Sequence, residues 1–118
     1  MGSFYDGINL RDIVNKIMSK VPIRKGKYWV YIVRCKDGTY YTGYTNNLEK
    51  RIALHNSGNG AKYLRNKLPV TLVYAKEYRY YKNALRRERN IKILTRQQKE
   101  ELIRIHEINN QCNWGTHA

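Results

Sequence analysis

Tyr31 and Tyr41 stand ten positions apart on either side of an Asp37-Gly38 turn signal, Arg51 follows Tyr41 by ten, and His55 follows Arg51 by four. These side chains suit proton transfer and anion handling. A guanidinium can grip a phosphate through two parallel hydrogen bonds. An imidazole gives or takes a proton near neutral pH. A phenol acts as a base only where cations draw its pKa down from about 10, and this chain carries 23 Lys and Arg against 9 Asp and Glu. Each residue also has an ordinary role. The tyrosines suit half-buried strands, Arg51 a solvated helix face beside Glu49 or Lys50, and His55 a hydrogen-bonded helix end.

Glu88 is the fifth candidate. It falls inside an apolar stripe of Ala84, Leu85, Ile91 and Leu94, with Arg86, Arg87 and Arg89 around it. A buried carboxylate is costly unless it is paired or on a metal. Lys92 at i+4 or a flanking Arg would make an ion pair. A Mg²⁺ or Mn²⁺ ion is the other partner, since such ions often use one or two carboxylates plus waters and substrate phosphate.

These residues need elements to hold them. Tyr28–Arg34 and Thr39–Thr45 are rich in aromatic and β-branched residues and read as two strands around the turn. A two-residue Asp37-Gly38 loop would put Tyr31 and Tyr41 on opposite faces. A three-residue loop, Lys36-Asp37-Gly38 with Gly38 left-handed, shifts the register by one and puts them on the same face, with Gly43 near Tyr31. Cooperation between the phenols therefore requires an odd loop.

Asn46 or Asn47 caps a helix of about ten residues, with Leu48 and Ile52 facing inward and Arg51 and His55 sharing a face. The breaker cluster Asn56–Gly60 ends it. A basic, aromatic segment follows, with Lys62, Tyr63, Arg65 and Lys67. Leu68–Ala75 reads as a third strand, with Pro69 at its start or on an edge. Helical spacing returns from Asn83. Thr95 caps a last helix with Gln98 at capping-box spacing, and a polar tail from Asn109 is expected to fray. At the other end, Leu10, Ile13, Val14, Ile17 and Met18 make an amphipathic helix that Asn9 can cap and that stops before Pro22. Its expected place is against the following domain, or against a partner.

The formal net charge of +14 makes nucleic acid the leading partner class and a membrane surface the next. No apolar run approaches the ~18 residues a spanning helix needs, so no membrane span is expected. Cys35 and Cys112 lie far apart. With no secretion signal they read as free thiols in a reducing compartment, which points to the cytoplasm.

Taken in order, Tyr31, Tyr41-Thr42-Gly43, Arg51, His55 and Glu88 resemble the motifs of the GIY-YIG nuclease superfamily. NSGNGAKYLRNKLPVTLVY and ALRRERNIKIL are similar to its small single-domain bacterial branch. The resemblance runs from about Tyr28 to Ile103. It matches Tyr31 and Tyr41 to the two motif tyrosines, Gly43 to the second motif's glycine, Arg51 to the catalytic arginine, His55 to a histidine of several members, and Glu88 to the metal ligand. Trp29 and Thr42 depart from the motif glycine and isoleucine. The resemblance implies an α+β fold, a small three-stranded antiparallel sheet flanked by helices, here with an extra N-terminal helix. The expected division is a helix and basic linker over 1–27, the nuclease-like domain over 28–108 and a tail over 109–118. It also implies an endonuclease using one Mg²⁺ or Mn²⁺ at Glu88. DNA (duplex, single-stranded or branched) would be held by Lys62, Tyr63, Arg65, Arg86 and Arg87, and a protein partner could supply targeting. A basic, tyrosine-rich nucleic-acid binder without catalysis is the alternative.

Overall fold

The computed structural model describes residues 10–20 and 24–117, with side chains as far as residue 110. Asn9, Pro22 and the side chain of Cys112 lie outside that set. The chain runs α1 (Leu10–Met18), β1 (Lys25–Arg34), β2 (Tyr40–Thr45), α2 (Leu48–Asn56), a 3-10 turn (Lys62–Leu64), β3 (Thr71–Tyr80), α3 (Tyr81–Lys92) and α4 (Arg96–His117). The strands form one antiparallel sheet in the order β2-β1-β3. This is the expected α+β arrangement with its additional N-terminal helix.

The hairpin has the odd loop. Tyr31 pairs with Gly43 and Val33 with Tyr41. Cys35 and Thr39 close a loop of three residues, with their backbones bonded at 2.8 Å. Gly38 takes φ 87°, a conformation that costs glycine nothing. Asp37 accepts from both the backbone and the hydroxyl of Thr39, which pins the turn.

Three elements differ from their expected bounds by three residues or more. β1 starts at Lys25, so Lys25 and Lys27 belong to the strand. β3 runs from Thr71 to Tyr80, where Leu68–Ala75 was expected. The reason is local: the Asn56 side chain holds both the N–H and the C=O of Val70. Residues 68–70 are thereby tied to α2, and pairing continues instead at the far end, where Tyr78 meets Tyr28 and Tyr80 meets Lys25. The tail expected to fray from Asn109 continues α4 to His117. The Thr95–Gln98 capping box at its start is formed in both directions.

Each face of the sheet has its own apolar layer. Val30, Ile32 and Tyr74 pack with Ala84 and Ile91 of α3 and Ile103 of α4. On the opposite face Tyr31, Val33 and Cys35 pack with Leu64 and Val70. α1 buries only Met18 of its apolar stripe. Leu10, Arg11, Val14 and Asn15 share a groove with Arg86 and Asn90 of α3 and with Ile93 just past its end.

Candidate active site

β2 is an edge strand, and the cleft of interest wraps that edge. It has a volume of about 470 Å³. Its walls take Tyr31, Tyr41, Gly43 and Thr45 from one face of the hairpin, and Tyr28 and Tyr44 from the other. Arg51 comes from α2, and Tyr81 and Glu88 from α3. Gly43 makes the meeting possible. A Cβ there would lie 2.6 Å from Tyr31 Oη, closer than any real contact, so only glycine lets the phenol cross β2. Tyr31 thereby shares one cleft with a carboxylate carried by the helix on the sheet's other side.

Asn47 starts α2 by accepting from the Lys50 backbone through its side chain. This sets the helix so that Arg51 lines the cleft while His55, one turn on, lies behind it, 1% exposed. His55 Nε2 is 2.8 Å from Tyr31 Oη, and the Ala61 N–H donates to His55 Nδ1 at 3.2 Å. The rings form a continuous cluster. Tyr31 and Tyr41 have centroids 6.4 Å apart, and Tyr41 meets His55 edge-on at 5.6 Å. Outside them Tyr63 stacks on Tyr41 at 6.0 Å, with the Lys67 ammonium on the Tyr63 ring and hydroxyl.

Glu88 is 7% exposed. Its Oε1 is 3.4 Å from Lys92 Nζ, so the ion pair expected at i+4 is formed, on a carboxylate that also lines the cleft. Burial pushes the Tyr31 phenol well above its ordinary value. Tyr41 adds to this, the Arg51 guanidinium opposes it, and Glu88 adds again. Burial, then Arg51, holds His55 below its usual value. The Tyr44 phenol is raised first by its hydrogen bond with Tyr81. Tyr31 and Tyr44 both feel Arg51 and Glu88, as members of one electrostatic unit.

Four of the five candidate chemical residues, Tyr31, Tyr41, Arg51 and Glu88, thus meet in one cleft, and the fifth, His55, supports Tyr31 from behind. The candidate nucleic-acid contacts are more dispersed. Lys62 and Arg65 are exposed around the 3-10 turn, and Tyr63 reaches the cleft through Tyr41. Arg86 lies in the groove under α1 with its Nε buried and unpartnered. Arg87 bonds Tyr78. None of these five lines the cleft. Its unforeseen members are Arg24, Tyr28, Tyr44, Thr45, Asn46 and Tyr81. Arg24 lies over the Tyr81 ring at 5.2 Å, and Tyr28 packs on Tyr81 at 5.5 Å. Two of them were within reach of sequence reasoning: the register that sets Tyr31 opposite Gly43 also sets Tyr44 opposite Val30, next to Tyr28.

Comparison with known proteins identifies the family. Residues 27–101 match the model of the GIY-YIG catalytic domain. A UPF0213 protein of Staphylococcus haemolyticus is 53% identical over 77 residues, which cover 65% of this chain and 94% of that protein. A UPF0213 protein of Halobacterium salinarum is 52% identical over 74 residues, 63% of this chain and 96% of its own. The solution NMR structure of an Enterococcus faecalis protein superposes with a TM-score of 0.50 at 34% identity, covering 72% of this chain and 93% of that one. The family match takes in Tyr31, Tyr41, Gly43, Arg51, His55 and Glu88. This chain belongs to the GIY-YIG catalytic domain family, and its fold is that of the nuclease superfamily.

Proposed function

We propose that the chain is a divalent-metal-dependent endonuclease that hydrolyses DNA phosphodiester bonds in the cleft at the β2 edge. The observation that carries this reading is the meeting of Tyr31, Tyr41, Arg51 and Glu88 in that cleft, from four separate stretches of sequence.

The site was weighed for a metal by its donors. Among the described residues no group of three or more His, Cys, Asp or Glu side chains could hold an ion, so a cage made wholly of protein ligands does not fit. A single buried carboxylate lining a cleft with room for waters and a phosphate does fit Mg²⁺ or Mn²⁺. Glu88 would hold the ion, with Lys92 as its counter-ion when the metal is away. When bound, the ion supplies Lewis-acid charge beside the phosphate.

The chain's own groups do the rest. Arg51 neutralises charge that builds on the phosphate, a preorganised electrostatic effect. Tyr31, backed by Tyr41 and His55, orients the attacking water and takes its proton. The phenol is protonated in the free protein, and the Arg51 guanidinium favours its charged form. Lys62 and Arg65, both exposed beside the 3-10 turn, supply phosphate contacts, which confer affinity rather than sequence choice. Binding should then weaken with salt at a slope of about −0.9 per phosphate contact on logarithmic axes for duplex DNA.

A non-catalytic binder is the second reading. The Glu88–Lys92 pair and the raised Tyr31 phenol favour it, because both suit a neutral, unreactive cleft. One assay separates the two: plasmid, single-stranded and branched DNA with Mg²⁺ or Mn²⁺, using wild type, Tyr31→Phe and Glu88→Gln. Cleavage lost in both variants with binding retained supports the enzyme. Binding without cutting in either metal supports the binder.

A further inference from the structure

Both ring nitrogens of His55 are engaged. The backbone N–H of Ala61 faces Nδ1 at 3.2 Å. A backbone amide can only donate, so Nδ1 must present its lone pair. The neutral ring then carries its proton on Nε2, 2.8 Å from Tyr31 Oη. We infer that the Ala61 amide selects the Nε2–H tautomer of His55, which makes His55 a fixed hydrogen-bond donor to the Tyr31 oxygen and not its proton acceptor; for catalysis this rests on the cleft being a cutting site.

Gly60 locks the arrangement. A Cβ on Gly60 would lie 2.2 Å from Nδ1 and 2.8 Å from the His55 Cα, so no side chain fits between the turn and the ring. For His55 to take the Tyr31 proton, its own hydrogen would first have to move to Nδ1. That would set two donors against each other. A donor at Nε2 instead favours the phenolate, because a hydrogen bond to a charged oxygen is shorter and stronger than one to a neutral oxygen. The proton account is then simple. Tyr31 loses its proton through the cleft to solvent before the reaction. As the water oxygen bonds to phosphorus and the bond to the leaving oxygen breaks, the water's proton passes to Tyr31 Oη. The leaving oxygen takes a proton from solvent. The proton count of His55 does not change. Ala61 and Gly60 are positioning residues in this scheme, acting through the ring.

The test is nitrogen NMR of the ¹⁵N-labelled full chain, at a pH above the usual histidine range. Wild-type His55 should show a protonated Nε2 and a lone-pair Nδ1. Tyr31→Phe removes the partner on Nε2 and leaves the Ala61 N–H in place, so the proton should stay on Nε2 and Nδ1 should keep its lone-pair signal. Ala61→Gly keeps the N–H and should keep the wild-type nitrogen pattern. A proton on Nδ1 in the wild type overturns the inference, as does a move of the proton to Nδ1 in Tyr31→Phe, which would show that the phenol and not the amide chooses the tautomer. If Tyr31→Phe does not fold, the wild-type spectrum decides alone. A wild type with the expected nitrogen pattern and no cutting activity would uphold the tautomer and reject the nuclease reading.

Discussion

On one face of the sheet Val30, Ile32, Ala84, Ile91 and Ile103 form a dry apolar layer. On the other, the same backbone buries Tyr31 against His55 and leaves both with shifted proton affinities. The first face follows what burial rewards, since each large apolar side chain removed from water contributes about 1.5–3 kcal/mol. The second holds polar groups that are costly to bury and stay satisfied only through particular partners. The polar groups buried on this face, with Glu88 reaching the same cleft from the other side, mark the β2 edge as the chemical region.

The largest effect on stability belongs to the apolar face. Ile91 is fully buried, and Ile91→Ala should cost roughly 2–5 kcal/mol in denaturant melts. Cleavage per folded molecule should be unchanged. Gly60→Ala reverses the pattern. Its Cβ would strike the His55 ring, which should cost roughly 1–3 kcal/mol as overpacking, and most cleavage should be lost with the ring displaced. If Ile91→Ala impaired the folded enzyme as much as Gly60→Ala does, the contrast between the faces would fail.

Thr42 is an exception on the apolar face. Its hydroxyl is buried and unpartnered, at the position where the family motif carries isoleucine. Thr42→Val should raise stability by roughly 1 kcal/mol or more by removing an unmet hydrogen-bonding group, with no change in cleavage. The smallest effect concerns Lys92, whose side chain is 52% exposed. Such pairs are worth up to about 1 kcal/mol. Lys92→Met frees Glu88, so Mn²⁺ measured by calorimetry should bind roughly two- to fivefold more tightly. Weaker binding would mean that the lysine assists the metal site instead.

The parts of this molecule that were legible in the sequence are those set by local rules. The odd loop was one of two readings of Asp37-Gly38, the one required if the phenols cooperate, and the structure has it, with Tyr31 beside Tyr41 and Gly43. Glu88 was conspicuous because a carboxylate interrupted an apolar stripe. A cap at Asn46 or Asn47 and the Thr95–Gln98 box were equally plain, and the structure settles the first on Asn47. The rest depended on contacts distant in sequence. The start of β3 is decided by Asn56, fourteen residues before Val70. Arg24 and Tyr81 join the cleft because the extended end of β3 brings Tyr80 alongside Lys25. Arg86 and Arg87 read as one basic patch, yet they point to different neighbours, because successive residues on a helix diverge by about 100°. Charge runs report composition more faithfully than geometry.

Single-turnover cleavage of end-labelled DNA at saturating protein, with Mg²⁺ and with a chelator, tests the central claim most directly when wild type is run beside Glu88→Gln. The account predicts metal-dependent cutting by the wild type and a loss of roughly a hundredfold or more in the variant, with both proteins binding the DNA. Equal rates for the two proteins, or wild-type cutting that persists in chelator, would contradict it.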